Sequence, residues 1–216
     1  MGSGARKTLA VSSRDLRAIL AVPWIYNLWA VAVGGPRARK EFAERYLELE
    51  PGDAVLDIGC GTGSMFTVMP QGVAYTGFDL SKSYIEQAQK RFDGQATFVH
   101  GAIGERPALP REGFDLAIAT GVLHHLPDVE AAGLFELARD ALRNGGRLIT
   151  SDPVYGEGQG RLAKWIISKD RGQHIRRRLE YEALVPAGFD HLRSDVSHHR
   201  LRIPYTHLIM EVRRTG

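Results

Sequence analysis

The sequence holds one cysteine in 216 residues, Cys60. No disulfide can form within one chain and no thiolate cluster can hold a metal. That usage suits a reducing compartment, so a cytoplasmic setting and no metal site are expected. The most apolar stretch, AILAVPWIYNLWAVAVGG from Ala18, is shorter than the roughly 20 residues of a spanning helix, and Pro23 and Asn27 interrupt it. The N-terminal MGSGARKTLAVSSRDLR is charged but has no apolar core followed by a small-residue cleavage site, so export is not expected. Neither sign of charge dominates: 28 Lys and Arg face 25 Asp and Glu, a formal net charge of +3. With cations and acids interspersed, nothing calls for a nucleic-acid partner. Internal repeats and low-complexity tracts are absent. What remains, 44% hydrophobic and 25% charged residues, is ordinary for one soluble globular domain.

From residue 53 onward, short apolar runs alternate with helix-like segments, the pattern of an α/β fold with a parallel sheet. DAVLDIG, VAYTGFDL, ATFVHG, FDLAIATG and GRLITSD read as five strands, dense enough in apolar residues to be buried on both faces. SKSYIEQAQKRF opens with a serine cap at Ser81 and keeps Tyr84, Ile85, Ala88 and Phe92 at helical spacing. DVEAAGLFELARDALRNGG places Leu134, Leu137, Ala138 and Leu142 on one face and is expected to stop at Asn144-Gly145. Beyond residue 152 the rhythm breaks into a glycine-punctuated basic stretch. A helix through HIRRRLEYEALVPAGF and two last strands, HLRSDVS and THLIMEVRR, follow. The expected organisation is a single domain over 1–216: a helical lid over 1–50, a binding core over 51–152, an inserted cover over 153–182 and C-terminal strands over 183–216.

The densest signal is VLDIGCGTGS, Val55 to Ser64. A strand ending in an acid runs into Gly59, Gly61 and Gly63 and then a helix start, a tight turn with side chains removed, as where a ligand lies against backbone. The spacing G-x-G-x-G differs from the G-x-G-x-x-G of pyrophosphate-binding loops; a ligand carrying an ammonium fits better. Asp79 follows Gly59 by twenty positions, at the end of the second strand, where a carboxylate can take both ribose hydroxyls. Each feature alone has a plainer reading, a tight turn for the glycines and a helix cap for Asp79.

In their order and spacing, VLDIGCGTG, YTGFDLS, FDLAIATGVLHHLPD and LRNGGRLITSDP resemble the class I S-adenosylmethionine-dependent methyltransferases over about residues 42–152. The resemblance implies a Rossmann-like, doubly wound, seven-stranded and mostly parallel sheet with helices on both faces. It implies S-adenosyl-L-methionine as cofactor and S-adenosyl-L-homocysteine as product. Gly59 and Gly61 would hold the methionine moiety through backbone groups, with Cys60 and Gly63 in the same cofactor loop, Asp57 would support its ammonium, Asp79 would hold the ribose, and Leu80 would pack on the adenine. After the third strand the family often has Gly-Asp, whose acid reads the adenine amino group. Here the chain has HGAIGE, with Ala102 in the acid's place, so either backbone groups from Gly101 through Ala102 to Ile103 meet the adenine or Glu105 reaches back.

Methyl transfer asks a protein mainly to align an acceptor and exclude water, sometimes also to remove a proton. In similar proteins the loop after the fourth strand passes beneath the methionine portion, so Thr120, Gly121 and His124 are expected to line the cofactor. The candidate catalytic residues are His125, Asp152 and His174. Tyr26, Asp170, Arg171 and Arg176 are candidate substrate contacts from the covering segments. Against these stand a capping role for Asp152 before Pro153, lid packing for Tyr26, and a solvated helix face for the run Arg176-Arg177-Arg178.

Missing chemistry narrows the acceptor. Nucleic-acid amino-methyltransferases carry Asn/Asp-Pro-Pro-Tyr/Phe after the fourth strand, where this chain has TGVLHH, and a cytosine-C5 enzyme needs a nucleophilic cysteine beside a proline, whereas Cys60 lies in the cofactor loop. The expected function is methyl transfer by in-line displacement to a small-molecule acceptor, oxygen preferred over nitrogen. The alternatives are a peripheral membrane enzyme acting on a lipid or lipid-linked intermediate, with the stretch from Ala18 at the interface, and a non-catalytic nucleoside-binding module.

Overall fold

The computed structural model describes residues 34–103, 109–156, 158–170, 172–198, 201 and 203–216. Tyr26, Glu105, Arg171 and nearly all of the apolar stretch from Ala18 lie outside the described residues. Seven strands form one sheet in the order β3-β2-β1-β4-β5-β7-β6: β1 Ala54–Ile58, β2 Ala74–Asp79, β3 Thr97–His100, β4 Phe114–Thr120, β5 Leu142–Pro153, β6 Phe189–Ser197 and β7 His207–Arg214. The pairs from β3 through β5 are parallel, and β7 runs antiparallel to both β5 and β6. All seven strands expected from the apolar runs are present.

Alternation along each strand builds two cores. Leu56, Ile58, Ala117 and Ala119 point to one face of the sheet and pack with α3 (Asp128–Ala141) and with Tyr181 of α5 (Arg178–Glu182). Val55, Leu116, Ile118 and Ile209 point to the other, against Phe42 of α1 (Gly35–Phe42) and Ile85 and Ala88 of α2 (Lys82–Arg91). Helices therefore cover both faces, and the central strands β1 and β4 are buried on both sides as a parallel sheet requires. Arg147 ties the N-terminal side to the sheet, donating to Glu211 at 2.7 Å and to the Leu47 carbonyl at 2.6 Å.

Three local expectations change. The glycine loop leads into a 3-10 turn, Ser64–Val68, rather than an α-helix. Only five residues separate Gly63 from Met69, and the residue before Pro70 is extended, as steric clash with a proline ring demands. The α3 helix ends at Ala141, before Asn144-Gly145, because Leu142 is already extended and pairs with Phe114. The helix read over residues 174–189 shrinks to Arg178–Glu182, since the chain before it is committed to pairing: His174 N–H donates to the His124 carbonyl, and Tyr155 N–H to that of Arg176. The remaining helix, α4 (Arg161–Ile167), lies in the segment expected to cover the site.

With β2 on one side of β1 and β4 on the other, the strand order reverses direction at β1/β4. The crevice at the carboxyl ends of these strands is where open α/β sheets receive ligands. It is bordered by the glycine loop, the end of β2 and the loop after β4.

Candidate active site

The three glycines of the first loop all have positive φ, +75° at Gly59, +55° at Gly61 and +74° at Gly63, but they face different things. A Cβ on Gly59 would come within 2.5 Å of Val122 Cγ2, and one on Gly63 within 2.9 Å of the Phe98 ring. At Gly61 such a Cβ would meet nothing within 4 Å among the described residues. Two of the glycines therefore make room for the protein itself, and Gly61 alone presents bare backbone to open space. The loop is held by hydrogen bonds from Gly59 and Cys60 N–H to the Phe78 carbonyl, at 2.7 and 3.1 Å. Cys60 is buried, and burial with the nearby Asp57 and Asp79 pushes its thiol far above the ordinary range, which leaves it inert.

Asp57, at the end of β1, is fully buried. The Tyr75 hydroxyl donates to its Oδ2, while Oδ1 has no hydrogen-bond partner among the described residues. Burial pushes its carboxyl up to about 7; the Tyr75 bond opposes the rise and the charge of Asp79 adds to it. Asp79 accepts from Gly61 N–H on Oδ2 at 2.9 Å and from Ser81 N–H on Oδ1 at 2.7 Å. Each oxygen keeps a further lone pair, so the carboxylate fixes the loop and can still accept from a ligand. Leu80 follows with its side chain 70% exposed, and Gly101, Ala102 and Ile103 stand half-buried beyond β3, with Gly101 N–H donating to the Asp79 carbonyl. Thr120 ends β4, and Gly121, at φ +72°, donates to the Ser151 carbonyl.

The loop after β4 holds a buried network. The His124 imidazole places Nδ1 2.8 Å from Asp152 Oδ1 and Nε2 3.3 Å from Asp170 Oδ1. His124 N–H donates to the same Asp152 oxygen. The Tyr205 hydroxyl and Gly172 N–H donate to Asp170, at 2.6 and 2.8 Å. Burial disfavours the imidazolium, but the hydrogen bonds to Asp152 and Asp170 outweigh it and His124 is pushed up to about 9. Burial likewise opposes ionisation of Asp170, and the bond to His124 leads the contacts that hold its carboxyl well below the usual range. The His124 imidazole thus lies between two carboxylates, one at the end of β5 and one just after α4, and both favour its charged form.

This arrangement redistributes the expected roles. Asp152, read as catalytic, is 2% exposed and holds His124 through Oδ1, while its Oδ2 has no hydrogen-bond partner among the described residues. Asp170, read as a substrate contact, has both oxygens engaged by protein donors. Arg176 is 8% exposed and directs its five N–H groups to the carbonyls of Leu123, His174 and Leu126 and twice to Asp128 Oδ1. It clamps the β4 loop and has no donor left for an anion. His174 is half-buried and bound through its backbone to His124 and Arg176. His125 is exposed, its ring 4.0 Å from that of His124.

Sequence reasoning missed Tyr75, Gly77, Gly172 and Tyr205. A Cβ on Gly77 would strike Cys60 and Phe98, and one on Gly172 would strike the His124 ring and carbonyl. The Gly77 signal was legible, a glycine inside a strand marking close approach; the others become visible only when distant segments meet.

Residues 55–146 match the model of a methyltransferase domain family. The chain is 30% identical over 179 residues to phosphoethanolamine N-methyltransferase 1 of Zea mays, covering 81% of this chain and 35% of that protein. It is 35% identical over 113 residues to 27-O-demethylrifamycin SV methyltransferase of Amycolatopsis mediterranei, covering 49% of this chain and 40% of that one. The chain spans about a third of the length of the curated relatives it matches. Among solved structures, it superposes on the phosphoethanolamine N-methyltransferase 2 of Haemonchus contortus with a TM-score of 0.74 at 17% identity, over 95% of this chain and 61% of that one; that protein was solved with phosphomonomethylethanolamine and S-adenosylhomocysteine. This last likeness concerns the fold. With four motifs in order on one sheet, the strand order observed, and a family model matching the same residues, the chain belongs to the class I S-adenosylmethionine-dependent methyltransferases.

Proposed function

We propose that the chain binds S-adenosyl-L-methionine in the crevice between the glycine loop and the end of β2, and that it methylates a small-molecule acceptor. The observation that carries this reading is the bare backbone at Gly61 beside Asp79, with nothing among the described residues within 4 Å of where a side chain would stand. The buried, unpartnered Oδ1 of Asp57 fits the same ligand: a carboxylate raised by burial gains from a cation nearby. Bound there, the cofactor supplies a methyl group on a positively charged sulfur.

The chain's own residues divide the remaining work. Asp79 accepts from the ribose hydroxyls, Leu80 packs on the adenine, and the backbone from Gly101 through Ala102 to Ile103 borders that ring. Gly59, Cys60 and Gly63 shape the loop, and Thr120 and Gly121 close the floor. His124, fixed by Asp152 and Asp170, sets the course of the β4 loop and so the place of His125. The exposed His125 is the group proposed to take a proton from the acceptor. An acceptor hydroxyl suits such a base, and oxygen is the proposed acceptor atom. Relatives named for nitrogen and for oxygen positions both match this chain, so amines belong in the same screen.

Calorimetric titration with S-adenosylhomocysteine tests the reading. Wild-type protein should bind, and Asp79→Asn, which keeps one acceptor oxygen but loses the charge, should bind about tenfold or more weakly, the weight of a charge-assisted hydrogen bond. Absence of binding in the wild type refutes it.

A further inference from the structure

Helix α4 carries two apolar faces where its packing needs one. Ala163 and Ile167 are buried in the body of the protein, while Leu162 and Trp165, one turn apart, are each 59% exposed on the outside. A single exposed leucine needs no explanation. A tryptophan beside it on the same face, ringed by Arg161, Lys164 and Lys169, all exposed, is a different composition. Among the described residues no acid pairs with these three cations. The one acid that follows the helix, Asp170, is turned inward to His124 and Tyr205. Leu162 also borders an open hollow of about 380 Å³, shared with Ala163, His198, Pro204 and Thr206.

We propose that the outer face of α4 docks on an anionic lipid surface. Trp165 and Leu162 enter the interface between headgroups and acyl chains, where an amphipathic indole is favoured. Arg161, Lys164 and Lys169 meet the lipid phosphates, each attracted by the surface potential. Two apolar anchors on a seven-residue helix are far too small for a stable protein interface; a lipid surface accepts them because each anchor inserts on its own. The hollow opens beside Leu162 and offers the apolar end of a lipid-borne molecule a place next to α4.

The test is co-sedimentation of the full chain with vesicles of phosphatidylcholine alone and of phosphatidylcholine mixed with phosphatidylglycerol. Binding should appear with phosphatidylglycerol and fade as salt is raised. Lys164→Gln and Lys169→Gln should each weaken it about fivefold, the factor expected for one cation near such a surface, and Trp165→Ser should weaken it further. Val129→Ser, at an exposed apolar position of α3, should leave it unchanged. A wild-type chain that does not sediment with the anionic vesicles overturns the proposal. So does binding that survives in the combined Trp165→Ser, Lys164→Gln and Lys169→Gln variant, since lipid contact would then lie elsewhere on the chain. S-adenosylhomocysteine titration of the same samples reports folding, and its outcome is independent of vesicle binding.

Discussion

His124 Nε2 lies 3.3 Å from Asp170 Oδ1, and this contact joins the loop after β4 to the segment that follows α4. Asp152 on the other side of the ring completes an arrangement whose worth depends on the charge of the imidazole.

That dependence has a sign. His124 is raised from 6.5 to about 9, so its contribution is fully present below pH 6.5 and is lost as pH rises through about 9. Asp170 is lowered, so its share is present above pH 3.8 and is lost on acidification. Urea unfolding of wild type and His124→Gln should differ by about 3 kcal/mol near pH 6, and the gap should narrow steadily towards pH 10. A gap that does not change with pH would show that the ring acts by packing alone.

Arg176→Lys should act on the fold and leave acceptor binding alone. Three ammonium donors cannot replace five guanidinium donors on the carbonyls of Leu123, Leu126 and His174 and on Asp128. The expected loss is about 2 kcal/mol in urea unfolding. Once an acceptor is in hand, its KM should stay within about twofold; a selective rise in KM for anionic acceptors would restore Arg176 as a substrate contact.

Asp57 stands in the opposite balance. Its carboxyl is raised from 3.8 to about 7, so the folded protein is favoured below pH 3.8 and that advantage is lost as pH rises through about 7. Asp57→Asn removes the titration. Its stability relative to wild type should improve between pH 4 and pH 8, by at most about 4 kcal/mol, while S-adenosylhomocysteine affinity falls. Parallel stability profiles for the two proteins would contradict the assignment.

Gly61→Ala and Gly63→Ala should separate ligand space from packing space. Gly61→Ala adds a methyl to open space at the cost of an unfavourable φ, about 1 kcal/mol, and should mainly weaken S-adenosylhomocysteine binding. Gly63→Ala drives a methyl against Phe98 and Phe92 and should cost about 1–3 kcal/mol more through overpacking. Thermal unfolding paired with calorimetry reads both; equal effects on stability would show that the two positions do not differ.

Much of this site is local in origin. The seven strands follow from apolar runs, the glycine loop from positive φ at three closely spaced positions, and the placement of Asp79 from the length of one strand-loop-strand unit. The length of helices was less legible. Ser64–Val68 and residues 174–177 depart from the periodic reading because Pro70 in one case and pairing with the β4 loop in the other override what the side chains favour.

The sequence by itself determined the sheet, the loop that presents Gly61, and the family, because periodicity, turn conformation and motif spacing act over a few residues. Only the tertiary structure decided what His124, Asp152, Asp170 and Arg176 do. Asp152 meets His124 from 28 residues away and Tyr205 meets Asp170 from 35. Hydrogen bonds between such distant groups depend on where the folded chain brings them, and no local pattern records that.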